Sequence, residues 1–352
     1  MQTGRTLVDM ATEIMRQSRS KKDFVASDAL WSMEGIGGRR ITANIGTHGV
    51  HGITNIAHGQ ISTRLNIPKP YYDTMRKQAP ELLTTNVNHW LEKSDKKRML
   101  RTLDGDLRAV LSDRYRALDN GDLMEAVLPI FNQESLDIKA CQVTDSRMYI
   151  QALSPRLKGD VKKGDPVQGG ITISNSEVGM GRLNASLWIY RLVCLNGMIT
   201  GSAFKQVHVG KSVSRGVDLS DAQEFFSDGT RKLADAAFFR QVADVVKGIL
   251  SEDHFGKMMQ ELQDSTERKI QGDPVKSIEV LANRFTMTEE EQGGVLRHLI
   301  DGGDLSAWGV ANAVTALAHD AETYDRNIEL QRAGAQVVEL PRTDWESIAN
   351  AA

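Results

Sequence analysis

The chain has 352 residues, with 43 Lys and Arg against 46 Asp and Glu and 40% hydrophobic residues, a composition that suits a folded protein of two or three subdomains. No run approaches the roughly 18 apolar residues of a membrane span, and the amphipathic stretch around Arg5, Arg16 and Arg19 lacks a signal peptide's apolar run, so a cytoplasmic protein with no membrane partner is expected. The two cysteines, Cys141 and Cys194, share no CxxC spacing and exclude a disulfide framework or a zinc knuckle.

The net charge of −3 conceals a sorting along the chain. Residues 147–215 carry ten Lys or Arg against three Asp or Glu, residues 216–352 carry 13 against 25, and residues 1–146 carry 20 against 18. A segment of +7 ahead of one of −12 suggests a surface for a polyanion, since neutralised phosphates release counterions and drive salt-dependent binding.

Residues 5–17 read as a short amphipathic helix, and Trp31 to Gly59, rich in Gly and β-branched residues, as short strands and turns. Asn55 to Leu65, then Ile67 and Pro68, then Lys69 to Gln78 read as helix, tight turn, helix. Helix-turn-helix DNA readers share that layout, although plain packing of two amphipathic helices is commoner. From Leu107 to Val209 the period becomes two, with a first strand at Arg108 to Ser112, a helix at Leu123 to Phe131, and turns at Thr144 to Ser146, Lys163 to Pro166 and Val178 to Gly181. On one strand Met148, Ile150 and Ala152 oppose Arg147, Tyr149 and Gln151. On another, Leu183, Ala185, Leu187 and Ile189 oppose Arg182, Asn184, Ser186, Trp188 and Tyr190. An alternative makes Arg182 to Leu195 a helix stopped by Asn196-Gly197.

The last third reads as helices with identifiable starts and stops: capping boxes at Ser220/Gln223 and Thr288/Glu291, Asp273 before Pro274, Gly302-Gly303 as a terminator and Ser306 as the next cap. The fold class is therefore α+β, with an N-terminal mixed α/β region (1–90), a basic antiparallel β core (91–217) and an acidic helical subdomain (218–352).

The polar face of the β core is the leading candidate site. Arg147, Lys158, Lys162, Lys163, Arg182, Lys205 and Lys211 can track phosphates, with Arg114 and Arg116 beside them, while Tyr149, Trp188 and Tyr190 offer rings for unpaired bases. Its competitor is burial of those rings beneath the C-terminal helices. Asp104, Asp106 and Asp113, joined by His208, are the candidate magnesium site of a competing reading, phosphodiester chemistry. His48, His51 and His58 supply imidazoles for a transition metal, but in a glycine-rich run without convincing ligand spacing. The Gly35 to Gly38 stretch with Arg39-Arg40 lacks the phosphate-loop pattern, and no cofactor motif appears, so no cofactor is expected.

Four segments, Ile61 to Tyr72 (ISTRLNIPKPYY), Asn86 to Leu91 (NVNHWL), Leu111 to Asp122 (LSDRYRALDNGD) and Arg191 to Met198 (RLVCLNGM), together resemble the phage/plasmid-like protein family catalogued as domain of unknown function 932, over roughly Lys22 to Asp325. The resemblance implies a gene of phages, prophages or plasmids and supplies no activity. An antiparallel core followed by helices, with a basic groove, also looks like the ring-forming single-strand annealing proteins of phages and eukaryotes, by architecture alone.

The expectation that follows is a homo-oligomeric, phage- or plasmid-type single-stranded DNA-binding or annealing protein that acts in replication or recombination by phosphate neutralisation and base stacking. A metal-dependent nucleic-acid-processing enzyme is the alternative, and a third is an acidic decoy whose C-terminal region binds a host protein.

Overall fold

The computed structural model describes residues 6–36, 40–201 and 228–352. Lys205, Lys211, His208, Arg39 and the Ser220/Gln223 capping box lie outside them.

The first helix, α1 (Leu7–Ser20), is closed at its start by a complete capping box between Thr6 and Asp9. Strands β1 (Lys22–Ser27), β2 (Ser32–Ile36), β3 (Arg40–Asn44) and β4 (Val50–Ile53) follow. Three consecutive helices come next, α2 (Asn55–Arg64), α3 (Lys69–Gln78) and α4 (Pro80–Glu92). Thr54 caps α2 by accepting from Ala57 N. Asn66 at φ 55° turns the chain beyond it, and prolines at the start of α3 and α4 suit positions whose N–H has no helical partner.

Strands β5 (Lys97–Leu103) and β6 (Asp106–Ser112) complete a six-stranded sheet in the order β1-β5-β6-β4-β3-β2. Only the β4/β6 pair is parallel, and α2–α4 lie within the crossover that such a pair needs. Ala57, Ile61, Tyr72, Met75, Leu83, Val87 and Leu91 bury the helical layer against Met33, Ala43, Leu100 and Leu107 of the sheet. Residues 97–112, read from sequence as the opening of the basic core, thus hydrogen-bond with β1 and β4 in this sheet.

After α5 (Asn120–Gln133), strands β7 (Asp137–Val143), β8 (Met148–Asp160), β9 (Pro166–Asn175), β10 (Asn184–Arg191) and β11 (Asn196–Ile199) form a second, wholly antiparallel sheet in sequential order. Arg182 to Leu195 is therefore no helix. Gly197 lies in β11, where a Cβ would stand 2.3 Å from Trp188 Nε1, so the glycine admits the indole against the backbone.

The alternation read from the sequence holds. Met148, Ile150, Ala152, Ala185, Leu187 and Ile189 face a core shared with α1, α5 and two further helices, α6 (Asp228–Ile249) and α7 (Glu252–Glu267). Helices α8 (Pro274–Arg284), α9 (Glu289–Gly302), α10 (Ala307–Leu317), α11 (Tyr324–Val338) and α12 (Arg342–Ala349) finish the chain. Their ends match the sequence signals: Asp273 accepts from Val275 N, Thr288 and Glu291 form a capping box, Gly303 closes α9 at φ 63°, and Ser306 caps α10. The α+β class with a C-terminal helical region is what the chain adopts. No helix among the described residues is long and apolar enough to cross a membrane.

Candidate nucleic-acid interface

The second face of the β7–β11 sheet is covered. Tyr324 and Ile328 of α11 pack against Tyr149, Leu153, Trp188 and Ile199, and Tyr149 and Trp188 are both 0% exposed. A buried polar chain stitches this contact: Trp188 Nε1 donates to Gln331 Oε1 at 3.0 Å, Gln151 Nε2 donates to the same oxygen at 2.9 Å, and the Tyr324 hydroxyl donates to Gln151 Oε1 at 3.3 Å. A base cannot stack on a ring enclosed this way, which removes Tyr149 and Trp188 as platforms. Tyr190 is half-buried beside Trp188, with ring centroids 5.1 Å apart.

The predicted cations divide between the two ends of the sheet, since Met148, next to Arg147, pairs with Asn175 of β9 while Lys158 pairs with Gln168, seven positions or roughly 23 Å away along the strand. At the far end Lys162 pairs with Asp304 at 2.7 Å, while Lys158 and Lys163 are exposed. At the near end two of the predicted arginines, Arg147 and Arg182, come together, with a third, Arg114, on the adjoining turn. Arg147 and Arg182 lie just beyond the paired residues of β8 and β10, on either side of β9. Arg147 Nε donates to Met180 O at 3.1 Å; a Cβ at Gly181 would stand 2.7 Å from that nitrogen, so the guanidinium rests on the backbone next to Arg182. The Tyr115 hydroxyl donates to Ser176 O at 3.0 Å, which brings exposed Arg114 to the same end. Neighbouring Arg116 is engaged, pairing with Asp235 and lying 4.8 Å over Phe238.

Sequence reasoning misses the fourth member, Arg332. It projects from α11 onto the same sheet end, and its Nη2 donates to Ser174 Oγ at 3.2 Å. Its Nε is buried without a hydrogen-bond partner. Burial lowers the pKa of this guanidinium and the charge of Arg147 pushes in the same direction, against an opposing pull from Glu329. Other buried arginines have stronger partners, Arg101 in Asp23 and Asp119, Arg108 in Glu177, Arg64 and Arg268 in main-chain carbonyls, although Arg108 Nε and Arg268 Nε are unpartnered too. The nearby acids are already engaged, Asp325 with Ser146 Oγ at 2.5 Å and Glu329 with Arg326 at 2.8 Å. Arg332 also lines a pocket of about 270 Å³ with Arg326, Phe285, Met287 and Gln336. Among the described residues, none of Arg114, Arg147, Arg182 and Arg332 makes an ion pair with a carboxylate.

The carboxylates proposed for a metal do not converge. Asp104 is claimed by Arg16 at 2.8 Å and Ser20 at 2.7 Å, which hold its carboxyl below the usual range. Asp106 opens β6, and Asp113 follows its far end, where it accepts from Arg114 N at 3.1 Å. Among the described residues no three His, Cys, Asp or Glu side chains come together as a metal needs. Of the three histidines, His48 and His51 are neighbours and His58 stands apart. His51 touches Gly105 O at 3.2 Å and His48 O at 3.0 Å, His48 stacks on Phe24 at 4.0 Å, and His58 lies buried against the Tyr72 hydroxyl at 2.8 Å. Burial pushes His58 down to about 3, so the ring is neutral. It borders a cleft of about 480 Å³ with Asp73, Arg76, Lys77 and Asp106, at the start of α2.

A family model, Domain of unknown function (DUF932), matches residues 108–337. The chain belongs to this family. The DUF932 match runs from within β6 to near the end of α11; it contains all four arginines of the cluster and excludes the α2–α4 layer. No curated protein matches the chain, and no solved structure does.

Proposed function

We propose that this DUF932 protein binds single-stranded nucleic acid by its phosphates, without cleaving it, and serves strand capture or annealing during replication or recombination of a mobile element. The supporting observation is the gathering of Arg147, Arg182 and Arg332 at one sheet end, with exposed Arg114 on the adjoining turn and no carboxylate ion pair to any of the four among the described residues. Guanidinium groups left unpaired in a chain of net charge −3 are suited to an external oxyanion, and the planar fork matches phosphate geometry. The cluster stands on strand ends and on the flank of a helix already packed against the sheet. That placement suits tracking a backbone better than driving a helix into a major groove. Copies of the chain along one strand would multiply such contacts, which is the role we assign to homo-oligomerisation.

The test is the salt dependence of oligonucleotide binding in wild type and in a variant carrying Arg147→Ala, Arg182→Ala and Arg332→Ala. Each phosphate contact to a single strand contributes about −0.7 to the slope of log K against log salt, so the variant's slope should flatten by roughly 2. An unchanged slope removes the cluster from the interface.

A further inference from the structure

With Tyr149 and Trp188 in the core, the described residues leave two aromatic side chains largely in solvent, Tyr71 at 53% and Trp90 at 49% exposure. Both belong to the helical layer on the first sheet. Four of the five tryptophans, Trp31, Trp188, Trp308 and Trp345, are 5% exposed or less, so Trp90 stands apart by its own measure. Helix α4 explains its direction: Leu83, Val87 and Leu91 turn one stripe into the core, and Trp90 lies off that stripe. Lys93 Nζ sits 6.0 Å from the indole centroid, and the His89 ring meets the indole edge-on at 5.4 Å. Lys96 and Lys97 follow in the next loop and strand, exposed and without an ion pair among the described residues. Glu92 and Asp95 are the acids in the same stretch.

We infer that Trp90 is a base-stacking platform for single-stranded nucleic acid, with Lys93, Lys96 and Lys97 holding the flanking phosphates. This inference rests on the proposed function and adds to it a stacking site on α4, in place of the β-sheet rings expected from sequence. The indole already holds a cation against its face, the arrangement in which a base takes the ring while the ammonium moves to a phosphate. His89 and Lys93 against the indole, with Lys96 and Lys97 exposed in the loop and strand that follow, fit a polyanion with flat apolar bases better than an apolar protein surface.

The experiment titrates full-length wild type, Trp90→Phe and Trp90→Ala with oligo(dT) and with an abasic oligonucleotide of equal length. Anisotropy and tryptophan emission are read together. Oligo(dT) should quench wild-type emission and leave Trp90→Phe nearly unchanged, because the other four indoles are enclosed. Trp90→Ala should bind oligo(dT) about 5- to 150-fold more weakly, the loss expected for one stacked base, with the salt slope kept and with abasic affinity equal to wild type. Oligo(dT) binding without quenching, and with Trp90→Ala at wild-type affinity, would overturn the platform and leave the arginine interface standing. Equal weakening towards both oligonucleotides would overturn stacking as the cause. Absence of binding by wild type at low salt would bring down both proposals. Circular dichroism of the variants should match wild type, since the side chain is half in solvent.

Discussion

Replacing Arg332 by Met should make the protein more stable and a poorer anion binder at once. The guanidinium gains one hydrogen bond of 3.2 Å, to Ser174 Oγ, and leaves Nε buried without a partner. A buried unsatisfied donor costs about 1–3 kcal/mol, whereas one ordinary bond contributes about 0.5–1.5 kcal/mol. Met keeps most of the apolar stem that packs against the sheet, and the repulsion from Arg147 and the attraction to Glu329 disappear together. The balance favours the variant by about 1 kcal/mol, read as a higher urea midpoint in phosphate-free buffer at low ionic strength. Adding inorganic phosphate should raise the midpoint of wild type and not of the variant, because a ligand that binds only the folded state stabilises it by mass action. A variant less stable than wild type by more than about 1 kcal/mol in phosphate-free buffer would refute the reasoning, by making Arg332 a structural cation.

The contrasting case is Arg101, 0% exposed, which donates to Asp23 at 2.9 Å, Asp119 at 2.8 Å and the Glu177 carbonyl at 2.8 Å and so joins the first sheet to the turn after β9. Arg101→Met should destabilise by about 3–5 kcal/mol in urea unfolding, the usual cost of breaking a buried charge set; a loss below about 1 kcal/mol would show that the junction is held by other contacts. For His58 the folded pKa of about 3 lies below the ordinary 6.5, so the unfolded chain takes up the proton first. Its contribution is full above pH 6.5 and is lost as pH falls towards 3, at up to about 1.4 kcal/mol per pH unit. His58→Gln should flatten unfolding free energy against pH across that window, and an unaltered profile would contradict the buried neutral imidazole.

Local signals were legible where chemistry is local. Asp273-Pro274, the Thr288/Glu291 capping box and Gly303 mark helix ends because each satisfies a nearby backbone group. The strict alternation of β8 and β10 separates their faces correctly. What alternation cannot express is whether the polar face meets water. Gln151 and Trp188 are polar at one atom, and Gln331 of α11, some 140 to 180 residues away in sequence, supplies the partners that bury them. Strand β5 hides its period behind Lys97, Arg98 and Arg101, the last of these buried by carboxylates brought in from Asp23 and Asp119. The arginine cluster was legible except for Arg332, for a related reason. Arg147 and Arg182 belong to the basic segment, but Arg332 lies in the acidic third, where a charge tally by segment counts it among its neighbours' carboxylates.

The most direct test of the central claim is an anisotropy titration of a labelled single-stranded oligonucleotide with wild-type protein, with unlabelled duplex as competitor, at two salt concentrations and without metal. Tight binding that weakens steeply with salt and resists duplex competition is the predicted result. Absence of binding at the lower salt concentration would contradict it.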